Sequence, residues 1–456
     1  MLVCDCLILG AGVAGASLAW RLATAGHTVL AVDAATGRYS GPFETMLADS
    51  LASVRDGAFA AVLQASSEPD PLRHGAIWGE DELVWRDAPP GRLLRRGAFD
   101  AQLRAAAAAA GADVRCPARA THDGERWWLQ EPGRQLVVAP RCVVRATGRV
   151  GTAGSGGALG PSAIAFTFVG EPAASDHHTA VVEAVPTGWI WSHVAAVGAA
   201  TAAVVVDPGE LRQVGRERLL AAAFAASRGP AGRLLRRRLG HVSAAGGGWR
   251  EPVAGELAIG DAAATIDPLA SQGVAKALAA AEHAAAVVAT ALARPEWWPR
   301  LCAVHARWER GLAAAHAATA AAWYGRETRF AAAPFWQARR GAPGAPANVD
   351  EVRRPQPFVV APGVAPAVVL VREGHRFVEQ PGFQRSDGET IHHVGYVPVA
   401  PLFAMLQTPH TLAAATAQAG ASPQLFVLPP PAVHAALVTL AQRGWLSPAA
   451  SAGGNP

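Results

Sequence analysis

This 456-residue sequence lacks long apolar runs, paired cysteine motifs and a leader-like start. An alanine-rich stretch, 279–293, is interrupted by Glu282 and His283, so no run reaches the roughly 18 residues that a membrane-spanning helix needs. The apolar N-terminus has no basic region and carries Asp5, so we expect no signal peptide. Five cysteines without Cys-x-x-Cys spacing predict thiols in a reducing compartment and no metal site. We therefore expect a cytoplasmic protein that does not cross a membrane.

A strong excess of charge is also missing. The 40 basic and 36 acidic residues leave a net charge of +4 and are spread along the chain, which favours neither nucleic acid nor an anionic membrane as partner. With 51% hydrophobic and 17% charged residues, the composition is that of a globular protein. The length predicts two or three domains.

A glycine-rich segment follows the apolar run 7–9 and precedes an alanine-rich helical stretch. Gly10 permits a tight turn, Gly12 lets the backbone approach a pyrophosphate, and Gly15, after Ala14, lets the helix pack on the strand. Asp33 ends the next apolar run and can accept a hydrogen bond from a ribose hydroxyl. The pattern predicts a dinucleotide site but does not separate NAD, NADP and FAD, and an ordinary glycine-rich turn is the alternative.

A second segment, 260–274, resembles the late Gly-Asp motif of the flavoprotein monooxygenases. The resemblance implies FAD as the cofactor and Asp261 as the ligand of its ribityl chain. It also implies that a loop and a helix N-terminus lie beside the flavin ring, where they favour negative charge on the reduced flavin. The residues that would form this part of the site are Pro268, Gln272, Gly273 and Val274.

Two further segments resemble this family. Residues 94–103 are similar to its Asp-Arg-x-x-Phe-Asp-x-x-Leu motif, so that Arg96 falls on the family's arginine near the cofactor, although Arg95 replaces the aspartate. A solvated arginine at a helix start is the alternative. Residues 143–148 resemble the late strand that ends in Ala-Thr-Gly and closes the FAD domain.

The alternation of apolar residues changes at about residue 161 and predicts successive strands. We predict an α/β protein with a Rossmann-type FAD-binding domain, 1–160 and 250–340, and an inserted antiparallel β-sheet substrate domain, 161–249. A linker rich in proline and glycine, 341–366, leads to a small α+β, winged-helix-like module, 367–456. This module is either a docking surface for a partner or a structural cap.

One predicted strand, 188–194, resembles the first half of the Trp-x-Trp-x-Ile-Pro segment of flavin-dependent tryptophan halogenases, but the proline is missing. Those enzymes also need a lysine between flavin and substrate, whereas the single lysine here, Lys276, follows the flavin loop. The loop residues Ser271-Gln272-Gly273 also depart from the halogenase pattern. Both departures favour hydroxylation over halogenation.

The same strand carries the candidate substrate residues. Trp189 and Trp191 alternate onto one face, where they would line a cavity or simply cover the sheet. His193 is a candidate general base that removes a proton from the substrate ring, and a core or surface histidine is the alternative.

The whole pattern resembles the maturation flavoproteins that hydroxylate a peptidyl tryptophan to build a tryptophylquinone. This resemblance implies dihydroxylation through a flavin C4a-hydroperoxide formed from O2, in the crosslinked small subunit of a quinohemoprotein amine dehydrogenase. No second dinucleotide fingerprint is visible, so the reductant, NAD(P)H or reduced flavin, stays open. A small-molecule aromatic hydroxylase, a halogenase and a non-catalytic FAD-containing adaptor are the alternatives.

Overall fold

The computed structural model describes residues 1–34, 44–46, 57–68, 73–86, 91–149, 156–173, 178–195, 200–340 and 356–449. The chain divides into two compact units, Met1–Gly344 and Ala345–Pro456. Residues 341–355 of the predicted linker lie outside the described residues. The predicted domain boundaries inside the first unit remain predictions.

The first sheet lies at the centre of the nucleotide-binding region. Leu2–Leu9 runs parallel to Val29–Val32 on one side and to Arg134–Arg145 on the other. The carboxyl half of Leu2–Leu9 is buried, as expected for a parallel strand that is covered on both faces. The order across the sheet is Asp113–Arg115, Val29–Val32, Leu2–Leu9, Arg134–Arg145, Trp127–Glu131 and Arg119–His122, and Leu257–Ala258 also pairs with Arg134–Arg145.

Helices cover this sheet, and four of the described helices share an apolar core. Val13–Thr24, Gly57–Ser66, Arg96–Ala109 and Gly273–Ala293 contribute to one cluster that includes Val13, Phe59, Phe99 and Val274. By length and composition Gly273–Ala293 could span a membrane, but most of it is buried inside the protein. Trp298–Arg326 and Pro334–Arg339 follow it along the chain.

The second sheet has seven strands. Four of them are strands in the region where the sequence predicts successive strands: Ala163–Glu171, Thr179–Val185, Gly188–Val194 and Ala200–Val206. Two more come from a part of the chain that we assigned to the FAD-binding domain. The order is Leu235–Ala245, Ala163–Glu171, Ala200–Val206, Gly188–Val194, Thr179–Val185, Arg73–Ile77 and Val84–Trp85.

The two faces of the second sheet have different coverings. Pro208–Val214 and Arg216–Ala226 follow the strand Ala200–Val206, and their apolar side chains pack with Ile190 and Val194 on one face. The opposite face carries Trp189, which packs with Tyr324 and Trp336 from the C-terminal part of the first unit.

Short elements connect the two sheets. Gly156–Ala158, Gly248–Arg250 and Ala264–Thr265 form a small antiparallel sheet, and Glu44–Met46 pairs with Arg92–Leu94. Four 3-10 turns lie at Pro230–Arg233, Gly260–Ala262, Pro268–Ala270 and Pro295–Trp297.

The C-terminal unit has its own core, in which Phe403 and Trp445 are fully buried. A hairpin of Ala365–Glu373 with Arg376–Gln384 is followed by the short strand Thr390–Ile391. The helix Pro430–Gln442 ends before Gly444, which has a φ of +73°, and the chain then enters the strand Leu446–Pro448. The remaining elements are Pro357–Val360, His393–Val394, Val397–Pro398, Val399–Met405, His410–Thr411, Leu412–Ala419, Pro430–Gln442 and Leu446–Pro448.

Candidate functional site

The glycine fingerprint forms a tight crossing between strand and helix. Gly10 has a φ of +106°, and a Cβ built on it would lie 2.4 Å from the carbonyl oxygen of Ala146. A Cβ on Gly15 would lie 1.9 Å from the carbonyl oxygen of Gly10. In contrast, a Cβ on Gly12 would meet no heavy atom within 4 Å. The protein therefore needs glycine at positions 10 and 15 for its own packing, whereas Gly12 lies beside open space.

The helix Val13–Thr24 has Gly12 at its N-cap position, and a glycine has no side chain that could cap the first turn. The amide groups at this end are therefore left for another acceptor, and the helix dipole makes that end positive. Asp33 fixes the loop before this helix, because the amide of Ala11 donates to Oδ2 of Asp33 at 2.7 Å. Asp33 thus lies at the loop as predicted from its spacing, while contact with a ribose remains a prediction.

The two distant motifs meet in space. Val13, at the start of the first helix, and Val274, at the start of the late helix, belong to the same apolar cluster. A Cβ on Gly260 would lie 3.0 Å from the Cβ of Ala14, so the Gly-Asp turn passes directly against the fingerprint helix. Gly273, like Gly12, has open space where its Cβ would lie. The structure therefore brings together segments about 250 residues apart around a region that a nucleotide cofactor fits.

Asp261 has a partner that sequence reasoning missed. Its Oδ2 lies 3.0 Å from Nε of Arg149, and Arg149 also donates to the carbonyl of Ala244. Arg149 directly follows the Ala-Thr-Gly segment, and that position was the one available signal in the sequence. The ion pair links the closing strand of the first sheet to the Gly-Asp turn. The contact of Asp261 with a ribityl chain remains a prediction.

The loop after the Gly-Asp turn is held by Asp267. Its Oδ1 accepts from the amide of Leu269 at 2.9 Å and begins the 3-10 turn at Pro268. Burial raises the pKa of Asp267 above its usual range. The loop then turns at Ser271, which has a φ of +49°, and Gln272 occupies the N-cap position of the helix Gly273–Ala293 without a capping hydrogen bond to its side chain. The positions predicted for the flavin loop are therefore contiguous in space as well as in sequence.

Tyr324 joins this loop to the second sheet, and nothing in its local sequence indicated that role. Its hydroxyl donates to Oδ2 of Asp267 at 3.0 Å and accepts from Nε1 of Trp189 at 3.1 Å. Burial and the neighbouring Asp267 raise the pKa of Tyr324 well above its usual range, so the phenol keeps its proton at neutral pH. The chain of hydrogen bonds fixes the loop against the sheet.

The two candidate tryptophans share one face, as predicted, but differ in burial. Trp189 is 2% exposed and packs in an aromatic cluster with Phe335 and Trp336, whereas Trp191 is half-buried at the edge of that cluster. Leu269 from the loop packs against the same cluster. The face thus forms an apolar wall that ends at the loop. A role in lining a substrate cavity remains a prediction for both residues.

His193 lies on the same strand and is fully buried. Its ring stacks on Trp191 with centroids 5.4 Å apart. Burial lowers its pKa to about 3, so the imidazole is neutral at pH 7. An imidazole with so low a pKa is neutral but is a weak base at neutral pH, and the general-base role remains a prediction.

Arg96 lies at the start of its helix as predicted, and two carboxylates bind it. Its Nε donates to Asp100 at 3.1 Å, and its Nη1 bonds Glu44. The guanidinium is therefore partly buried in an ion-pair network rather than solvated. Whether it also lies near a cofactor stays a prediction.

The fold that these elements form is that of FAD-dependent halogenases and hydroxylases: a nucleotide-binding sheet with a late Gly-Asp turn and an inserted antiparallel sheet. No protein-family model and no curated protein sequence matches this chain.

Three solved structures define the similarity. The peptidyl tryptophan dihydroxylase QhpG, essential for tryptophylquinone cofactor biogenesis, has a TM-score of 0.70 at 22% identity, covering 97% of this chain and 99% of its own. The flavin-dependent halogenase CmlS has a TM-score of 0.71 at 16% identity, covering 98% and 96%. The myxobacterial chondrochloren halogenase CndH, an FAD-dependent enzyme, has a TM-score of 0.63 at 19% identity, covering 75% and 86%. At these identities the similarity shows the fold.

Proposed function

We propose that this chain binds FAD and acts as a monooxygenase that inserts two oxygen atoms into one tryptophan of a partner polypeptide. The observation that carries the cofactor assignment is the meeting of the fingerprint helix with the Gly-Asp turn. Uncapped amides at Gly12 fit a pyrophosphate, and Asp261 fits a polyol chain. Open space at Gly12 and Gly273 leaves room for the cofactor.

Reduced FAD, when bound, supplies the activation of O2 that an aromatic hydroxylation requires. The residues of this chain shape the site around the cofactor. Asp267 and Tyr324 fix the loop, and the aromatic cluster around Trp189 excludes water from its apolar side. His193, neutral at pH 7, is the candidate acceptor of the proton that leaves the substrate ring.

Hydroxylation is favoured over halogenation by the position of Lys276. Its side chain is 0% exposed, and its Nζ lies 2.8 Å from Oε2 of Glu309 and 3.0 Å from the carbonyl oxygen of Gly260. A lysine bound in this way is not directed at a substrate. The halogenases CmlS and CndH share the fold, so halogenation is the alternative that the assay must include.

The protein substrate is supported by the similarity to QhpG over nearly the whole of both chains, including the C-terminal unit. We propose the crosslinked small subunit of a quinohemoprotein amine dehydrogenase as the substrate. O2 and a reductant, NAD(P)H or reduced flavin, complete the reaction, which we place in the cytoplasm. A separate C-terminal unit with its own core fits a docking role for a large substrate.

The test measures the intact mass of the crosslinked small subunit after incubation with this protein, FAD, NADH or photoreduced flavin, and O2. A gain of two oxygen atoms on one tryptophan, absent with the Asp261→Ala variant, would support the proposal. Parallel reactions contain bromide, free tryptophan or simple phenols. Halogen incorporation, or turnover of the small aromatics alone, would replace the proposal with one of the alternatives. A bound flavin that no donor reduces would favour a non-catalytic adaptor.

A further inference from the structure

A closed ring of polar contacts surrounds the backbone of Gly260. Glu309 Oε1 accepts from the amide of Gly260 at 2.9 Å, and Lys276 Nζ donates to its carbonyl oxygen at 3.0 Å. Lys276 and Glu309 close the ring with a contact of 2.8 Å between Nζ and Oε2. Two helices, Gly273–Ala293 and Trp298–Arg326, therefore contact the backbone of one residue, Gly260, at both its N–H donor and its C=O acceptor.

The ring is buried, and burial is costly for both charges. The side chains of Lys276 and Glu309 are 0% and 1% exposed. Removing two charges from water costs about as much as their mutual attraction returns, so the ion pair in itself adds little to the stability of the fold. What an apolar pair cannot supply is a donor and an acceptor matched to Gly260.

The backbone conformation and packing of Gly260 explain why its amide and carbonyl need these partners. It has a φ of +62°, and its Cα lies against Ala14 of the fingerprint helix, where a Cβ would approach to 3.0 Å. The preceding strand, Leu257–Ala258, pairs with the first sheet, but Gly260 has already turned away from it. A buried amide and carbonyl in such a turn require partners. Glu309 accepts from the amide, and the carbonyl accepts from Lys276 Nζ and also from the amide of Ala263 at 3.1 Å. The next residue is Asp261.

Two histidines continue the network. His305 Nε2 lies 3.8 Å from Oε1 of Glu309, and its Nδ1 lies 2.8 Å from Nδ1 of His283, which stacks on Trp308. Burial, with His283 and Lys276 nearby, lowers the pKa of His305 well below its usual range, so this ring is neutral. Lys276 is therefore the charged partner of Glu309.

We propose that Lys276 and Glu309 are positioning residues that set the orientation of Gly260 and thereby place Asp261 for FAD. The proposal rests on FAD binding, as proposed above. It predicts that the pair contributes to cofactor affinity more than to folding.

The test compares FAD binding by the apo-proteins of the wild type and of the double variant K276M/E309M, using quenching of flavin fluorescence. The positioning role predicts a dissociation constant raised about tenfold or more, the scale seen when outer partners of a ligand site are removed. The thermal midpoint of the apo-protein should stay within a few degrees of wild type. Cys302→Ala, two turns from Glu309 on the same helix, is the matched control and should leave both quantities unchanged.

A second variant separates positioning from packing. K276M/E309Q carries no ion pair but restores an acceptor for the Gly260 amide, so it should recover part of the lost affinity and part of the wild-type flavin absorption spectrum. Equal affinity of wild type and K276M/E309M, or equal weakening in both double variants, would overturn the proposal. If the wild type itself binds no FAD, the proposed function fails instead, so the two failures are distinguishable.

Discussion

Replacing two glycines of the fingerprint separates what the fold needs from what the cofactor needs. Gly12 has a φ of −76° and a ψ of −166°, which any residue adopts, and a Cβ there meets no protein atom within 4 Å. Gly15 differs, because its Cβ would lie 1.9 Å from the carbonyl oxygen of Gly10. We therefore expect Gly12→Val to fold and to lose FAD, and Gly15→Ala to lose stability whether or not FAD is present.

The magnitudes follow from the contacts at each position. A valine at position 12 costs the apo-protein about 1 kcal/mol, because glycine is clearly better than valine at the N-cap of a helix. The same side chain would keep the backbone from the pyrophosphate. Loss of two hydrogen bonds to a charged group, at about 1.5 kcal/mol each, amounts to about 3 kcal/mol, or roughly a hundredfold in the dissociation constant. Gly15→Ala forces backbone atoms apart at about 1–3 kcal/mol or more.

The assay is thermal unfolding of both apo-proteins, followed by FAD titration of whichever variant folds. The expected result is a near-native thermal midpoint for Gly12→Val with no retained flavin, and a lowered midpoint for Gly15→Ala. Full yellow colour in purified Gly12→Val would refute the reasoning, because it would mean that the open space beside Gly12 does not hold the pyrophosphate.

Three further predictions concern the sheet face, the buried histidine and the C-terminal unit. Tyr324→Phe removes the hydroxyl that joins Trp189 to Asp267, so the free energy of unfolding of the apo-protein, measured in urea, should fall by about 1–3 kcal/mol. The control variant Phe330→Leu, which changes the same aromatic cluster but breaks no hydrogen bond, should lower the free energy of unfolding by less. His193 has a folded pKa of about 3 against an ordinary value of 6.5, so its contribution to stability is present above pH 6.5 and is lost as the pH falls toward 3. Between those values the wild type should lose up to about 1.4 kcal/mol per pH unit more than His193→Phe, and parallel pH profiles would contradict this. Residues 345–456 alone should give a cooperative thermal transition, because their core is self-contained, and a featureless melting curve would argue against an independent unit.

Local signals explain why the fold and the cofactor motifs could be predicted. Gly10 and Gly15 are required by contacts within a few residues or with one neighbouring strand, and such constraints leave a fixed spacing in the sequence. The strands of the second sheet were visible through their alternation, which burial of both faces did not obscure. The predicted fold class is confirmed by the solved structures.

The strand order of the second sheet and the roles of two helix residues could not be predicted, because they depend on contacts between residues far apart in the sequence. Arg73–Ile77 is a short strand whose partner, Thr179–Val185, lies about 100 residues away, so its place in the second sheet depends on pairing rather than on local pattern. Tyr324 and Glu309 lie on one long helix that reads as a uniform alanine-rich segment. Their roles arise from what the tertiary fold brings opposite them, Asp267 and Gly260.

The parallel pairing of the first sheet also has a consequence for synthesis on the ribosome. Leu2–Leu9 is made first, but its neighbour Arg134–Arg145 and the outer strand Leu257–Ala258 emerge much later. Until then the nascent chain exposes one unpaired edge of an apolar strand, the situation that invites aggregation and chaperone binding. Pairing over such sequence separations is also slow. Cotranslational folding of the complete first sheet therefore has to wait until Leu257–Ala258 has left the exit tunnel.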